Sequence, residues 1–64
     1  MNRIKADAVS VRTASGALYE FRNVIADKFG DLVSISELGS NDKTYFIVHQ
    51  IESISFKEVA YEQN

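Results

Sequence analysis

Alternation of apolar and polar residues with a period of two is the feature that most constrains this fold. Val9 and Val11 alternate with Ser10 and Arg12, and the same pattern recurs in Leu32–Leu38. Successive side chains of a β-strand point to opposite faces, so this spacing predicts half-buried strands. We therefore expect an all-β domain.

Turn residues divide the chain into five predicted strands. Ala14–Gly16 and Gly39–Lys43 are the clearest turns, because Gly, Asn, Asp and Ser favour turn conformations. The predicted strands are 8–13, 17–25, 32–38, 44–48 and 51–57. Val24 and Ile25 interrupt the alternation of the second strand, which predicts a bulge or sharp bend near Asn23.

Five short strands at close spacing predict a strongly bent antiparallel sheet closed into a small barrel, since closure removes most exposed strand edges. For residues 3–9, a short N-terminal helical turn is an alternative prediction. Helix is likewise the alternative to strand for residues 56–63. We expect one domain over residues 1–64, with its core at 8–57. The tail, residues 58–64, either extends the last strand or frays.

The absence of cysteine restricts how so short a chain is stabilised. A domain of this length buries only about 60% of the surface of its unfolded form, so its core is thin. With no cysteine and His49 as the single histidine, neither a disulfide nor a structural zinc site is expected, and no cofactor is indicated. Oligomerisation is the stabiliser that remains open, although domains of this length also fold alone.

Charge and hydropathy patterning limit the location and the partners. Residues 1–7 lack the apolar stretch of a signal peptide, and the longest run of large apolar residues is Tyr45–Val48, so we expect a cytoplasmic protein without a membrane partner. The formal net charge of −2 argues against phosphate contacts over the whole surface. A local basic or aromatic binding site remains allowed.

A turn glycine and a spaced aromatic form the first motif. Gly16 follows the first predicted strand, and Asp27, Phe29 and Asp31 follow the second at every other position, before an apolar strand that begins at Leu32. This order resembles the first motif of the Sm-like family, which includes Lsm proteins and the bacterial RNA chaperone Hfq. In that family an Asp, an aromatic residue and an Asn stand at these positions.

A second motif follows near the C-terminus. The short apolar segment Tyr45–Val48 is separated by His49 and Gln50 from the aliphatic segment Ile51–Ile54. This arrangement resembles the second Sm-like motif, and its His-containing junction is closer to Hfq than to Lsm proteins. The resemblance extends over about residues 9–56.

Three positions depart from the family pattern. Phe21 stands where the family bends its second strand at a glycine, Asp31 replaces the Asn that contacts a base, and Val48 replaces a basic residue. An SH3-like barrel would show much of the same pattern. The resemblance implies a non-catalytic RNA-binding ring, whereas the SH3-like alternative implies a barrel that binds a protein partner, for example by strand addition.

The resemblance assigns RNA binding to Lys28, Phe29, Asp31 and His49. An aromatic at a turn can stack on a base, and a lysine beside it can contact phosphate. The competing interpretations are that Phe29 covers the end of a thin barrel and that His49 is a turn residue bonded to backbone. One histidine, no cysteine and no Ser-His-Asp pattern give no basis for an enzyme.

The segment Tyr45–Val48 is apolar on both faces, although a strand buried on one face should alternate. One explanation is an oligomer interface, because in Sm-like rings the fourth strand pairs with the fifth strand of a neighbour. A monomeric barrel with a covered edge is the other. The predicted interface residues are Tyr45, Phe46, Val48, Ile54 and Phe56.

Overall fold

Five antiparallel strands form one sheet in the computed structural model, which describes residues 3–61 and the side chains of residues 3–59. The strands are β1 (Arg3–Thr13), β2 (Leu18–Phe29), β3 (Leu32–Glu37), β4 (Lys43–Ile47) and β5 (Ile51–Tyr61). A 3-10 turn, Val48–Gln50, connects β4 to β5. The all-β prediction is confirmed.

The strands lie in the order β4-β3-β2-β1-β5, so the two edge strands are β4 and β5. Within residues 3–61, β4 pairs only with β3 and β5 pairs only with β1. The bent sheet is barrel-like but is not closed by hydrogen bonds, which differs from the predicted closure. The five-residue strand β4 faces the turn between β1 and β2 across a groove.

A single line of bending crosses β2, β1 and β5. Asn23 and Glu58 have positive φ angles of 51° and 58°, and both lie opposite Asp7, where the pairing of β1 with its two neighbours is interrupted. The inward-facing positions of β1 change there from Ala6 to Val9, both of which are buried. The bend predicted near Asn23 is confirmed, and it forms without a glycine.

Small aliphatic side chains and one aromatic make up the core. The buried residues are Ala6, Val9, Val11, Val24, Ala26, Ile35 and Phe46. The Phe46 ring packs edge-on against Tyr19 and Phe21, with centroid separations of 5.4 and 6.2 Å. These contacts hold β4 against the first half of β2 where no backbone pairing joins them.

Three strands are longer than the sequence predicts: β1 at its start, and β2 and β5 at their ends. β1 begins at Arg3, so the alternative of an N-terminal helical turn is wrong: Ile4 and Ala6 lie inside the same sheet as Val9. β2 continues to Phe29, and β5 continues to Tyr61. The predicted tail is therefore strand as far as residue 61, and residues 62–64 lie outside the described part of the chain.

Candidate nucleic-acid interface

A two-residue turn presents Phe29 at one end of the sheet. Phe29 pairs with Leu32 across Gly30 and Asp31. Gly30 has a φ of +56°, a left-handed conformation that glycine adopts without the steric cost of a side chain. Phe29 is not part of the core cluster, and 47% of its surface is exposed.

One backbone hydrogen bond joins this turn to the 3-10 turn. The N–H of Val48 donates to the carbonyl oxygen of Asp31 over 2.8 Å. Because of this bond, His49 lies next to the turn that carries Phe29. Lys28, Phe29, Asp31 and His49 are all exposed and lie in or beside these two joined turns, and we call them the turn cluster. Lys28 pairs with Val33 and Phe29 with Leu32, so these two side chains start from opposite faces of the sheet.

The 3-10 turn is also attached on its other side. The N–H of Ala14 donates to the carbonyl oxygen of Gln50 over 2.8 Å, which links the β1–β2 turn to the start of β5. The two bonds hold the turn between two neighbouring loops. The backbone of the turn cluster is therefore fixed, while its side chains face solvent.

Two apolar residues that sequence reasoning did not assign to binding adjoin Phe29. Leu32 pairs directly with both Phe29 and Ile47, and directly paired residues point to the same face of a sheet. Leu32 and Ile47 are exposed, so the three side chains form one apolar row across β2, β3 and β4. The apolar residues on both faces of the Tyr45–Val48 segment were the only sequence signal for it.

The predicted interface residues divide between surface and core. Tyr45 is 57% exposed on the edge strand, whereas Phe46 is buried and packs against aromatics of its own chain. Val48 is half-buried in the 3-10 turn, and Ile54 and Phe56 are half-buried against the core. Tyr45 is therefore the member of the set with the largest exposed surface.

An open groove of about 660 Å³ lies between β4 and the β1–β2 turn. Tyr19 and Tyr45 line it together with uncharged residues: Thr13, Ala14, Ser15, Thr44, Phe46, Ile47 and Gln50. No predicted site residue other than Tyr45 and Phe46 contributes to it. Sequence reasoning missed this groove, because it depends on how β4 lies against a turn about thirty residues earlier.

The turn cluster combines four kinds of side chain on two turns that a backbone hydrogen bond joins. It offers a stacking ring, an ammonium group, a carboxylate and an imidazole on a fixed backbone. Within residues 3–61, no three His, Cys, Asp or Glu side chains are grouped to hold a metal ion, and no helix is long and apolar enough to cross a membrane. No protein-family model, curated protein or solved structure matches the chain.

Proposed function

We propose that this chain is a non-catalytic, Sm-like domain that binds single-stranded RNA as a homo-oligomer. The observation that carries the proposal is the hydrogen bond from Val48 to Asp31, which joins the turn that follows Phe29 to the turn that contains His49. These residues come from two separate segments of the chain. The bond holds the two segments next to each other, and both Phe29 and His49 are exposed there.

The turn cluster supplies the contacts that a flexible strand needs. A base stacks on Phe29, and base–aromatic stacking contributes about 1–3 kcal/mol per base. The Leu32 and Ile47 side chains extend the apolar surface beneath that base. Lys28 contacts a neighbouring phosphate, His49 donates to the strand, and the Asp31 carboxylate accepts from an exocyclic amino group.

Homo-oligomerisation is supported by the two unpaired edges. Within residues 3–61, the outer edges of β4 and β5 have no partner strand. An exposed edge is a template for pairing with another chain, and antiparallel or parallel pairing of β4 with β5 of a second copy satisfies both edges. The half-buried Ile54 of β5 adds apolar surface to such a contact.

The test is RNA binding by Phe29→Ala, measured as fluorescence anisotropy of a labelled oligouridylate and a labelled oligoadenylate. We expect the affinity to fall by about 5- to 150-fold, which corresponds to the loss of one stacked base. Phe29→Tyr keeps the stacking surface and should bind like the wild type. Leu18→Ala removes a similarly exposed apolar side chain at the other end of β2 from Phe29 and serves as the matched control.

A wild-type protein that binds neither oligonucleotide at low salt would overturn the proposal. Equal losses for Phe29→Ala and Leu18→Ala would also contradict it, because a local stacking contact cannot depend on both positions. Circular dichroism of each variant separates a binding defect from unfolding.

Protein binding is the second candidate, and the groove between β4 and the β1–β2 turn favours it. The residues that line the groove are uncharged, and an unpaired strand edge borders it. An extended peptide could add to that edge and place an apolar side chain between Tyr19 and Tyr45. A monomeric protein without RNA affinity would support this candidate, and Tyr19→Ser would then be the variant for comparison in partner capture.

A further inference from the structure

One outer face of the sheet carries the turn cluster's apolar row and two further rows beside it. In the second row, Arg3 pairs with Asp27 on the neighbouring strand, and Ser34 pairs with Tyr45. Asp27 also pairs with Ser34, so this row crosses β1, β2, β3 and β4. Directly paired residues point to one face, which is therefore shared by Phe29 and Tyr45.

The third row places a lysine at each side of this face. Lys5 pairs with Ile25, Ile25 pairs with Ser36, and Ser36 pairs with Lys43. Both lysines are exposed. The row therefore has an ammonium group on β1 and another on β4, with a half-buried apolar and polar surface between them.

The charge of this face is opposite in sign to that of the whole chain. Its three rows contain the cations Arg3, Lys5 and Lys43 and one carboxylate, Asp27. The Arg3 Nε lies 3.2 Å from the Asp27 carboxylate, so these two charges offset each other and the net positive charge of the face comes from Lys5 and Lys43. The chain as a whole has a formal charge of −2.

Carboxylates elsewhere lie at the margins of this face. Asp7 follows Lys5 on β1 at the line of bending, Asp31 lies in the β2–β3 turn, and Asp42 precedes Lys43 at the start of β4. They limit the basic surface to the region between the turn cluster and the bend. A polyanion that crosses this region meets cations on both sides and aromatic rings on the strands.

We propose that this face, with Tyr45 as a second stacking residue and Lys5 and Lys43 as phosphate contacts, extends the RNA path from the turn cluster across the sheet. The inference rests on the proposed RNA binding and identifies the residues that continue it. Exposed aromatics combined with cations on a sheet surface are what sequence-tolerant binding of a single strand needs. Phe29 and Tyr45 are separated by one row and two strand spacings, roughly 12 Å from standard sheet dimensions, which leaves room for two bases on one strand.

Pairing of β4 with another copy leaves this face open. Strand addition uses the backbone edge of β4, whereas the Tyr45 and Lys43 side chains project from the plane of the sheet. The same protomer can therefore present this face while its edge is paired. Neighbouring copies would continue the basic surface around an assembly.

The experiment compares the salt dependence of oligouridylate binding among single variants. Lys43→Ser and Lys5→Ser should each make the slope of log affinity against log salt shallower by about 0.7, the value for one phosphate contact to a single strand. Lys57→Ser removes an exposed lysine from β5, outside the three rows, and should leave the slope unchanged. Tyr45→Ala should weaken binding by about 5- to 150-fold, and Tyr45→Phe should restore it.

The outcomes separate this inference from the proposed function. If Phe29→Ala loses affinity while the Tyr45, Lys5 and Lys43 variants match the wild type, the extended path is wrong and the turn cluster remains. If the wild type binds no RNA, both are wrong. Light scattering of each variant shows whether the assembly is unchanged. If Tyr45→Ala alters the assembly, the salt-dependence slopes of the two lysine variants decide whether the RNA path extends across this face.

Discussion

Asn23 and Glu58 adopt the same left-handed backbone conformation on either side of Asp7, one on β2 and the other on β5. The three residues mark a line along which three adjacent strands bend together. Because all three strands change phase at the same level, their pairing register is the same on both sides of the bend. The bend separates the half of the sheet that carries the turn cluster from the half that carries the β1–β2 turn.

Glycine at the bend should stabilise the fold. Glu58 has a φ of +58°, a conformation that costs a residue with a side chain about 1–2 kcal/mol and costs glycine nothing. We expect Glu58→Gly to raise the free energy of unfolding by about 0.5–1 kcal/mol in urea titrations. Lys57→Gly, one position earlier in regular strand, is the control and should lower it by about 0.5–1 kcal/mol. A lower free energy of unfolding in both variants would show that the backbone of Glu58 is not strained.

A β-branched residue at the bend should have the opposite effect. Asn tolerates the left-handed region better than most residues, whereas Val does not. We expect Asn23→Val to lower the free energy of unfolding by about 1–3 kcal/mol. Asn23→Gly should stay within about 1 kcal/mol of the wild type. The free energy of unfolding should be higher with Gly or Asn at position 23 than with Val. Equal values for Val and Asn would contradict the bend at this position.

The aromatic contact between β4 and β2 should be essential for stability. Phe46 is 9% exposed and packs against Tyr19 and Phe21 without backbone pairing between the two strands. Truncation of a buried Phe costs about 3–5 kcal/mol, a large part of the stability of a small domain. We expect Phe46→Ala to be largely unfolded at 25 °C, and Phe46→Leu to be folded but less stable than the wild type. Thermal unfolding followed by circular dichroism measures both, and a stable Phe46→Ala would place this residue outside the core.

The exposure of Tyr45 next to the burial of Phe46 illustrates what the sequence could and could not predict. The strand segment Tyr45–Val48 was identified from its composition, but two neighbouring aromatics give no sign of which one faces inward. That assignment depends on contacts with Tyr19 and Phe21, which lie more than twenty residues earlier in the chain. Long-range packing, and not local pattern, decides it.

The first strand shows a related limit. Ile4 and Ala6 face the core in one phase and Val9 and Val11 in the other, so a single period-two pattern fits only residues 8–13. Because the inward-facing positions change phase at Asp7, the alternation in the sequence did not indicate that the first half of β1 is strand. The bend near Asn23 could be predicted because Val24 and Ile25 are adjacent large apolar residues. The residues of the turn cluster could be named from the sequence, but the position of His49 next to the turn after Phe29 depends on the bond from Val48 to Asp31.

The unpaired edges of β4 and β5 predict self-association. We expect light scattering on a size-exclusion column to give a mass of several chains that does not change over a wide range of protein concentration. Such behaviour indicates a closed assembly, in which every edge is paired. A monomer at all concentrations would contradict the proposed assembly, and a mass that rises continuously with concentration would indicate open pairing of edges in place of a ring.

The most direct test of the central claim locates RNA on the wild-type protein. An oligouridylate that contains 4-thiouridine is photo-crosslinked to the protein, and the modified peptides are identified by tandem mass spectrometry. The account predicts adducts at Phe29 or His49, with further adducts at Tyr45. No adducts, or adducts confined to residues outside the turn cluster and the three rows, such as Lys57 of β5, would contradict RNA binding at the turn cluster.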